Sequence, residues 1–152
     1  MAVRRIPREA GATDTRRLTA LFIALVFAHL LVVLVHTVAH LELQIVPPPT
    51  DTVFILGVIL IGPVAALPIL RFNRPLASGL LIVVMSAAFA YGFQSHFVIP
   101  GPDQVSIVPS NPWTVAFVVT AIGIGILELL AVVVAVSMFG RSLRNPSGSP
   151  AR

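Results

Sequence analysis

Four histidines are the side chains of this sequence most suited to bind a ligand, and all four lie in or at the ends of long apolar runs. Three of them, His29, His36 and His40, belong to the same run. At about 100° per residue they project within an arc of roughly 40° on one helix face. Ionisable side chains are costly inside a bilayer and usually face the interior of a bundle. We therefore expect this face to point into the protein.

A metal site is predicted from the spacing of these histidines. His36 and His40 are four residues apart, so their side chains lie one above the other on a helix, close enough to bind one ion. His96 ends the third apolar run on the same side of the membrane as His40. The sequence therefore predicts that His36, His40 and His96 form a metal site near the outer interface.

Three further residues are candidates for the surroundings of this site. Tyr91, Gln94 and Ser95 share a face of the third helix, and Tyr91 and Gln94 are predicted to lie next to the ligands. On an ideal helix His96 points away from that face, and we expect the chain to bend back at the helix end. Asp103, in the turn sequence that follows, is a candidate loop ligand.

Glu128 is the only charged residue in the fourth apolar run. It lies about 22 Å below Trp113 along a helix, and His29 lies about 16 Å below His40. The two depths are similar, so we predict a hydrogen bond or an ion pair between Glu128 and His29 in the bundle interior. These two residues are also candidates for a proton relay.

The residue types restrict the ligand that such a site would take. Imidazole suits transition metals such as Zn, Fe or Cu. The absence of cysteine excludes thiolate sites, iron–sulfur clusters and covalently attached haem. Haem b would need axial histidines from two helices, such as His36 or His40 with His96. It is disfavoured because no arginine on the predicted outer side is available to pair with its propionates.

The composition places these residues in a membrane protein. Of the 152 residues 57% are hydrophobic and 11% are charged, and the mean hydropathy is +0.97, whereas soluble domains carry about a quarter charged residues. A helix needs about 20 apolar residues to span a bilayer. Four runs qualify, which predicts an all-α, integral membrane four-helix bundle with up-down-up-down topology. The predicted spans are about residues 18–41, 52–70, 76–96 and 113–140 of a single transmembrane domain, 18–140.

The charges predict how this bundle is oriented. All ten arginines fall on one side of a four-span arrangement, and the sequence has no lysine. The opposite loops contain only acidic charges, at Glu42, Asp51 and Asp103. Cytoplasmic loops carry an excess of positive charge. The prediction is a multi-pass protein of the plasma membrane with both termini cytoplasmic, in an arginine-rich tail (1–17) and a second tail (141–152).

Two other interpretations of the arginines are rejected. Arg16-Arg17 loosely matches a twin-arginine export signal, but the apolar run that follows is longer than a signal's roughly 7–15 residues and lacks a clear cleavage site. Nucleic-acid binding is not expected, because the arginines flank apolar runs and have no interleaved aromatic residues for base stacking.

The function predicted from these features is an outward-facing histidine cluster that binds a transition metal or haem b, in metal handling or redox chemistry. No nucleophile–base pair is visible, so no enzymatic reaction is assigned. The first alternative is a non-catalytic accessory or structural subunit of a larger membrane complex. The second is a proton or small-solute transporter that uses His29 and Glu128. The expected partners are the lipid bilayer and a membrane-protein partner or a second copy of the chain.

Overall fold

The structure, a computed structural model, describes residues 8–144 and the side chains from Thr13 onward. These residues form five α-helices: α1 (Arg8–Glu42), α2 (Pro49–Phe54), α3 (Gly62–Phe72), α4 (Arg74–Phe93) and α5 (Thr114–Arg144). The prediction of an all-α membrane-type four-helix bundle is confirmed. Four helical stretches are long and apolar enough to cross a membrane: Thr13–Glu42, Pro49–Phe72, Arg74–Val98 and Thr114–Arg144.

The helix ends differ from the predicted span limits at several points. Helix α1 begins at Arg8 and not at Leu18, so much of the predicted N-terminal tail is helical. Helix α5 continues to Arg144, beyond the predicted end at Gly140. The predictions for residues 1–7 and 145–152 lie outside the described residues.

The second span is a composite helix. Its middle, Ile55–Ile61, is a π-helix that connects α2 to α3, and the N–H of Gly62 donates to the carbonyl of Gly57, five residues back. Pro63 follows directly and has no N–H to donate. Gly62 is also in close contact with the third span, because a Cβ at this position would lie 2.8 Å from Val84 Cγ1. The missing side chain allows these two spans to approach each other closely.

The fourth and third spans pack along each other, and the fourth also packs along α1. Asn73 caps the start of α4, where its side chain accepts a hydrogen bond from the N–H of Leu76 at 3.0 Å. In the half of the bundle nearest the arginines, the spans enclose an apolar core. Its buried members are Phe22, Val26, Ala66, Leu70, Ala77, Leu81, Val84, Met85, Ala131, Ala135 and Met138.

Apart from the buried Glu128, the described Arg, Asp and Glu side chains lie toward the two ends of the bundle. Arg141 at the end of α5 donates to the Asp14 carboxylate of α1 at 3.1 Å, so these helix ends lie side by side. The connection between the second and third spans carries Arg71 and Arg74 at this same end, and both are exposed. The histidine cluster lies toward the opposite end.

Candidate metal centre

Three histidine rings converge between the first, third and fourth spans, near the end of the bundle opposite the arginines. The Nε2 atom of His36 lies 3.1 Å from that of His40 and 3.3 Å from that of His96. One ligand nitrogen from each of the three rings lies within 4.8 Å of the other two. His36 and His96 are buried and His40 is half-buried. The predicted contact between α1 and the end of the third span is therefore present.

Each of the three rings is held through its other nitrogen, Nδ1. In His40 this atom lies 3.2 Å from the carbonyl oxygen of Ile45, and in His96 it lies 3.0 Å from that of Asp103. In His36 it lies 2.8 Å from the hydroxyl oxygen of Thr120 on α5. Metal-binding histidines commonly donate their second ring N–H to such oxygens, which fixes the tautomer and the ring orientation.

These contacts favour one tautomer for each neutral ring. A carbonyl can only accept, so Nδ1 carries the hydrogen in His40 and His96. The hydroxyl of Thr120 lies 2.6 Å from the carbonyl of Ala116, to which it donates, so its oxygen is free to accept from His36 Nδ1–H. All three Nε2 atoms therefore present a lone pair to the same small volume. Three acceptor nitrogens at this separation are an arrangement compatible with a bound cation.

Phe117 forms an apolar wall beside the cluster. Its ring is fully buried and stacks on His36 with centroids 4.9 Å apart. The rings of His40 and His96 lie 5.0 and 5.3 Å from the same phenyl ring. Four aromatic rings in mutual contact hold the nitrogens in place and keep water from that side.

A second π-helix brings His96 to the cluster. The inward face of the third span is formed by the buried residues Ala77, Leu81, Met85 and Ala88, and not by the face that Tyr91 and Gln94 share. At Gln94–Val98 the helix becomes a π-helix, in which the N–H of Ile99 donates to the carbonyl of Gln94, five residues back. A π-turn advances fewer degrees per residue than an α-turn, which rotates His96 toward the centre of the inward face.

Asp103 lies behind the histidines rather than among the three converging nitrogens. Its backbone carbonyl accepts from His96, and its carboxylate oxygen Oδ1 lies 3.4 Å from Nδ1 of His40. The N–H of Val105 donates to the carbonyl of His96 at 3.0 Å, which ties this loop to the helix end. The loop thus covers the cluster, with Asp103 in a position to orient the rings.

Tyr91 and Gln94 have different surroundings from those predicted. The Tyr91 hydroxyl donates to the Asp51 carboxylate at 3.0 Å, and its ring lies against Phe54 of the second span. The side chain of Gln94 is exposed on the outside of its helix. Tyr91 therefore connects the second and third spans, and neither residue supports the ring nitrogens.

His29 and Glu128 form a separate buried pair deeper in the bundle. Nε2 of His29 lies 3.3 Å from Oε1 of Glu128, with exposed fractions of 0% and 1% for the two residues. This is the contact predicted from their matching depths. Nδ1 of His29 is buried without a hydrogen-bond partner.

A cavity of about 360 Å³ extends from the histidine cluster to Glu128. All three clustered histidines line it, and most of its remaining wall is aliphatic or aromatic, with Val33, Ile59, Ala88, Phe89, Ala121, Ile122, Gly125, Ile126 and Leu129 among its members. Glu128 is eight residues from Thr120 on α5, which corresponds to about 12 Å along the helix.

Sequence reasoning missed the two residues of the fourth span that complete the site, Thr120 and Phe117. Thr120 is one of the few polar residues in this apolar run, and that was the available signal. For Phe117 the sequence offered no signal, because phenylalanine is common in any apolar helix.

Comparisons of this chain with protein-family models, with curated proteins and with solved structures gave no match. Its function therefore has to be argued from the geometry of the site.

Proposed function

We propose that this multi-pass membrane protein binds one transition-metal ion through Nε2 of His36, His40 and His96, on the outward-facing half of its bundle in the plasma membrane. The observation that carries the proposal is the convergence of three Nε2 lone pairs, each fixed by a hydrogen bond from Nδ1 on the far side of its ring. A tetrahedral ion with metal–nitrogen bonds of about 2.0 Å separates its ligand nitrogens by about 3.3 Å. The distances from Nε2 of His36 to Nε2 of His40 and of His96, 3.1 and 3.3 Å, agree with this value.

The donor set favours a borderline divalent ion, with Zn²⁺ as the first choice and Fe or Cu as alternatives. Three histidines and one open position are the ligand set of several catalytic zinc sites. Haem b fits less well, because its macrocycle must lie between two axial ligands. The His36 ring lies 4.7 Å from that of His40 and 5.0 Å from that of His96, centroid to centroid. The widest pair, His40 and His96 at 6.0 Å, has the rings of His36 and Phe117 packed against both members, which leaves no gap for a macrocycle.

A resident metal site is favoured over a transport pathway through the bundle. His29 and Glu128 reach only to the middle of the membrane. From there to the arginine-rich end, the described interior is the apolar core defined above and one buried hydroxyl, that of Ser78. Moving a proton or an ion through that core would require a charge to cross a region whose described buried side chains offer a single hydroxyl. The site therefore fits metal handling or redox chemistry at the outer side of the membrane.

Elemental analysis of purified protein tests the proposal. We expect about one equivalent of metal per chain in the wild type and loss of most of it in His36→Ala and His96→Ala, because two imidazoles hold an ion much less firmly than three. The matched control is Gln94→Ala, which alters the same π-helical segment at an exposed position. Equal metal contents in the wild type and both histidine variants would refute the site.

A second measurement examines the orientation of the ligands. Thr120→Val removes the oxygen that accepts from His36 Nδ1–H, and we expect the metal affinity to fall by roughly 10–100-fold, as for other outer-shell partners of metal-bound histidines. Thr37→Val is the control, because the Thr37 hydroxyl donates to the Val33 carbonyl of its own helix. An unchanged affinity in Thr120→Val, measured by competition with a chelator, would contradict the assigned tautomers.

A further inference from the structure

The cavity beside the histidine cluster is much larger than a bound water requires. Its volume is about 360 Å³, whereas a water in the liquid occupies about 30 Å³. Its walls are mainly aliphatic and aromatic, contributed by all four spans, including Ile59 of the second and Phe89 of the third. A cavity of this composition suits the body of an apolar molecule rather than a chain of waters.

The cavity is also continuous with the lipid-facing surface. Helix α1 packs against the second span chiefly through α3, so the outer halves of these two spans lie apart. Leu41, Phe93 and Ile126 line the cavity and are at the same time exposed on the outside of the bundle, with exposed fractions of 68%, 49% and 54%. A molecule dissolved in the bilayer can therefore enter from the side without crossing a polar surface.

The proposed metal site leaves a positive charge at the outer end of this cavity. Three neutral imidazoles bring no negative charge to a divalent ion, and the group of converging ligand atoms among the described residues includes no carboxylate. Asp103 lies on the far side of His40, against Nδ1. The Asp103 carboxylate offsets part of the charge of a divalent ion through His40, and the net positive charge that remains beside apolar walls favours an anionic fourth ligand.

We infer that the cavity binds a long-chain carboxylate, with its head group as the fourth ligand of the metal ion and its chain along the apolar walls. Carboxylate oxygens are common ligands of such ions, and the chain would fill the volume that a hydroxide leaves empty. The inference rests on the proposed metal site and specifies the chemical class of its ligand.

Cobalt-loaded protein in phosphatidylcholine nanodiscs tests the inference, because the visible absorption of Co²⁺ changes when its fourth ligand changes. We expect dodecanoate to shift this absorption saturably, while dodecanol, which has the same chain without the carboxylate, leaves it unchanged. Gly125→Leu places a side chain in the cavity next to Phe89, without touching the ligands. It should weaken dodecanoate binding about tenfold or more, because part of the acyl chain could then no longer be buried against the cavity walls.

Two further variants separate binding of dodecanoate in the cavity from its partition into the nanodisc. Ala121→Leu fills the same cavity one turn earlier on α5 and should act as Gly125→Leu does. Val119→Leu changes a lipid-facing position of the same helix and should bind dodecanoate like the wild type, which controls for partition of the acid into the nanodisc. Cobalt that binds but does not respond to dodecanoate, or responds equally in all variants, overturns the inference and leaves the metal site intact. Wild-type protein that takes up no cobalt overturns the metal site itself.

Discussion

The three clustered histidines and His29 differ in how their second ring nitrogen is held. Each clustered ring has an oxygen acceptor on its Nδ1 side, so its Nε2 atom is directed at a fixed point. His29 has no such partner, and its only described contact of this kind is with Glu128. A histidine bonded only through Nε2 is suited to connecting two helices. A histidine whose Nδ1 is hydrogen-bonded to an oxygen keeps its Nε2 lone pair available for an ion. We therefore assign the buried pair to stability and the cluster to binding.

The pair makes a prediction about stability. Glu128→Leu leaves His29 buried without a partner, so we expect the free energy of unfolding to fall by about 1–3 kcal/mol. The double variant His29→Leu/Glu128→Leu should recover part or all of this loss, because neither polar group remains. Thermal unfolding in one detergent, with metal content measured in parallel, compares the variants. A stable single variant that has lost its metal would mean that Glu128 serves the cluster and not the helix contact.

The helix register of α1 was predictable from the sequence, whereas the geometry of the third span was not. His29, His36 and His40 share a face because an α-helix repeats every 3.6 residues, and the structure places that face inward. The position of His96 depends on the π-helix at Gln94–Val98, which has no marker in the local sequence. Tyr91 and Gln94 have other surroundings than predicted because the buried face of α4 is formed by other residues, so Tyr91 contacts the second span and Gln94 is exposed. Thr120 and Phe117 on α5 were not predicted as partners of His36, because they lie 84 and 81 residues from it in the chain (120 − 36 and 117 − 36).

A register exchange within α1 tests whether the helix face, and not the number of histidines, creates the site. His40→Leu/Leu41→His keeps four histidines but rotates one of them by about 100°, toward the lipid-facing side where Leu41 is exposed. We expect its metal affinity to equal that of His40→Leu alone, well below the wild type. Circular dichroism should report unchanged helix content, since leucine is a good helix former. Wild-type affinity in the exchanged variant would show that the ligands are not set by the face of α1.

The two halves of the bundle differ in the polarity and the packing of their interiors. The half near the arginines is filled with apolar and small side chains, whereas the other half holds the three histidines, Thr120 and the cavity. Small residues such as Ala131 and Ala135 allow close helix packing, which gives one half the rigidity of a closed core. The polar half is covered by the loop that carries Asp103. For the proposed metal site, this division predicts ligand exchange at the end of the bundle where the acidic loops lie.

The arginines predict the orientation of the bundle in the membrane, and single introduced cysteines can test it because the chain has no cysteine of its own. A single cysteine at Ser106→Cys lies in the loop over the histidines, and one at Leu143→Cys lies at the opposite end, on α5; both positions are exposed. Arginine-rich ends remain cytoplasmic. We therefore expect a membrane-impermeant maleimide to label Ser106→Cys in intact cells and Leu143→Cys only after the cells are opened. The cysteine-free wild type measures background labelling, and the reverse pattern would place the metal site on the cytoplasmic side.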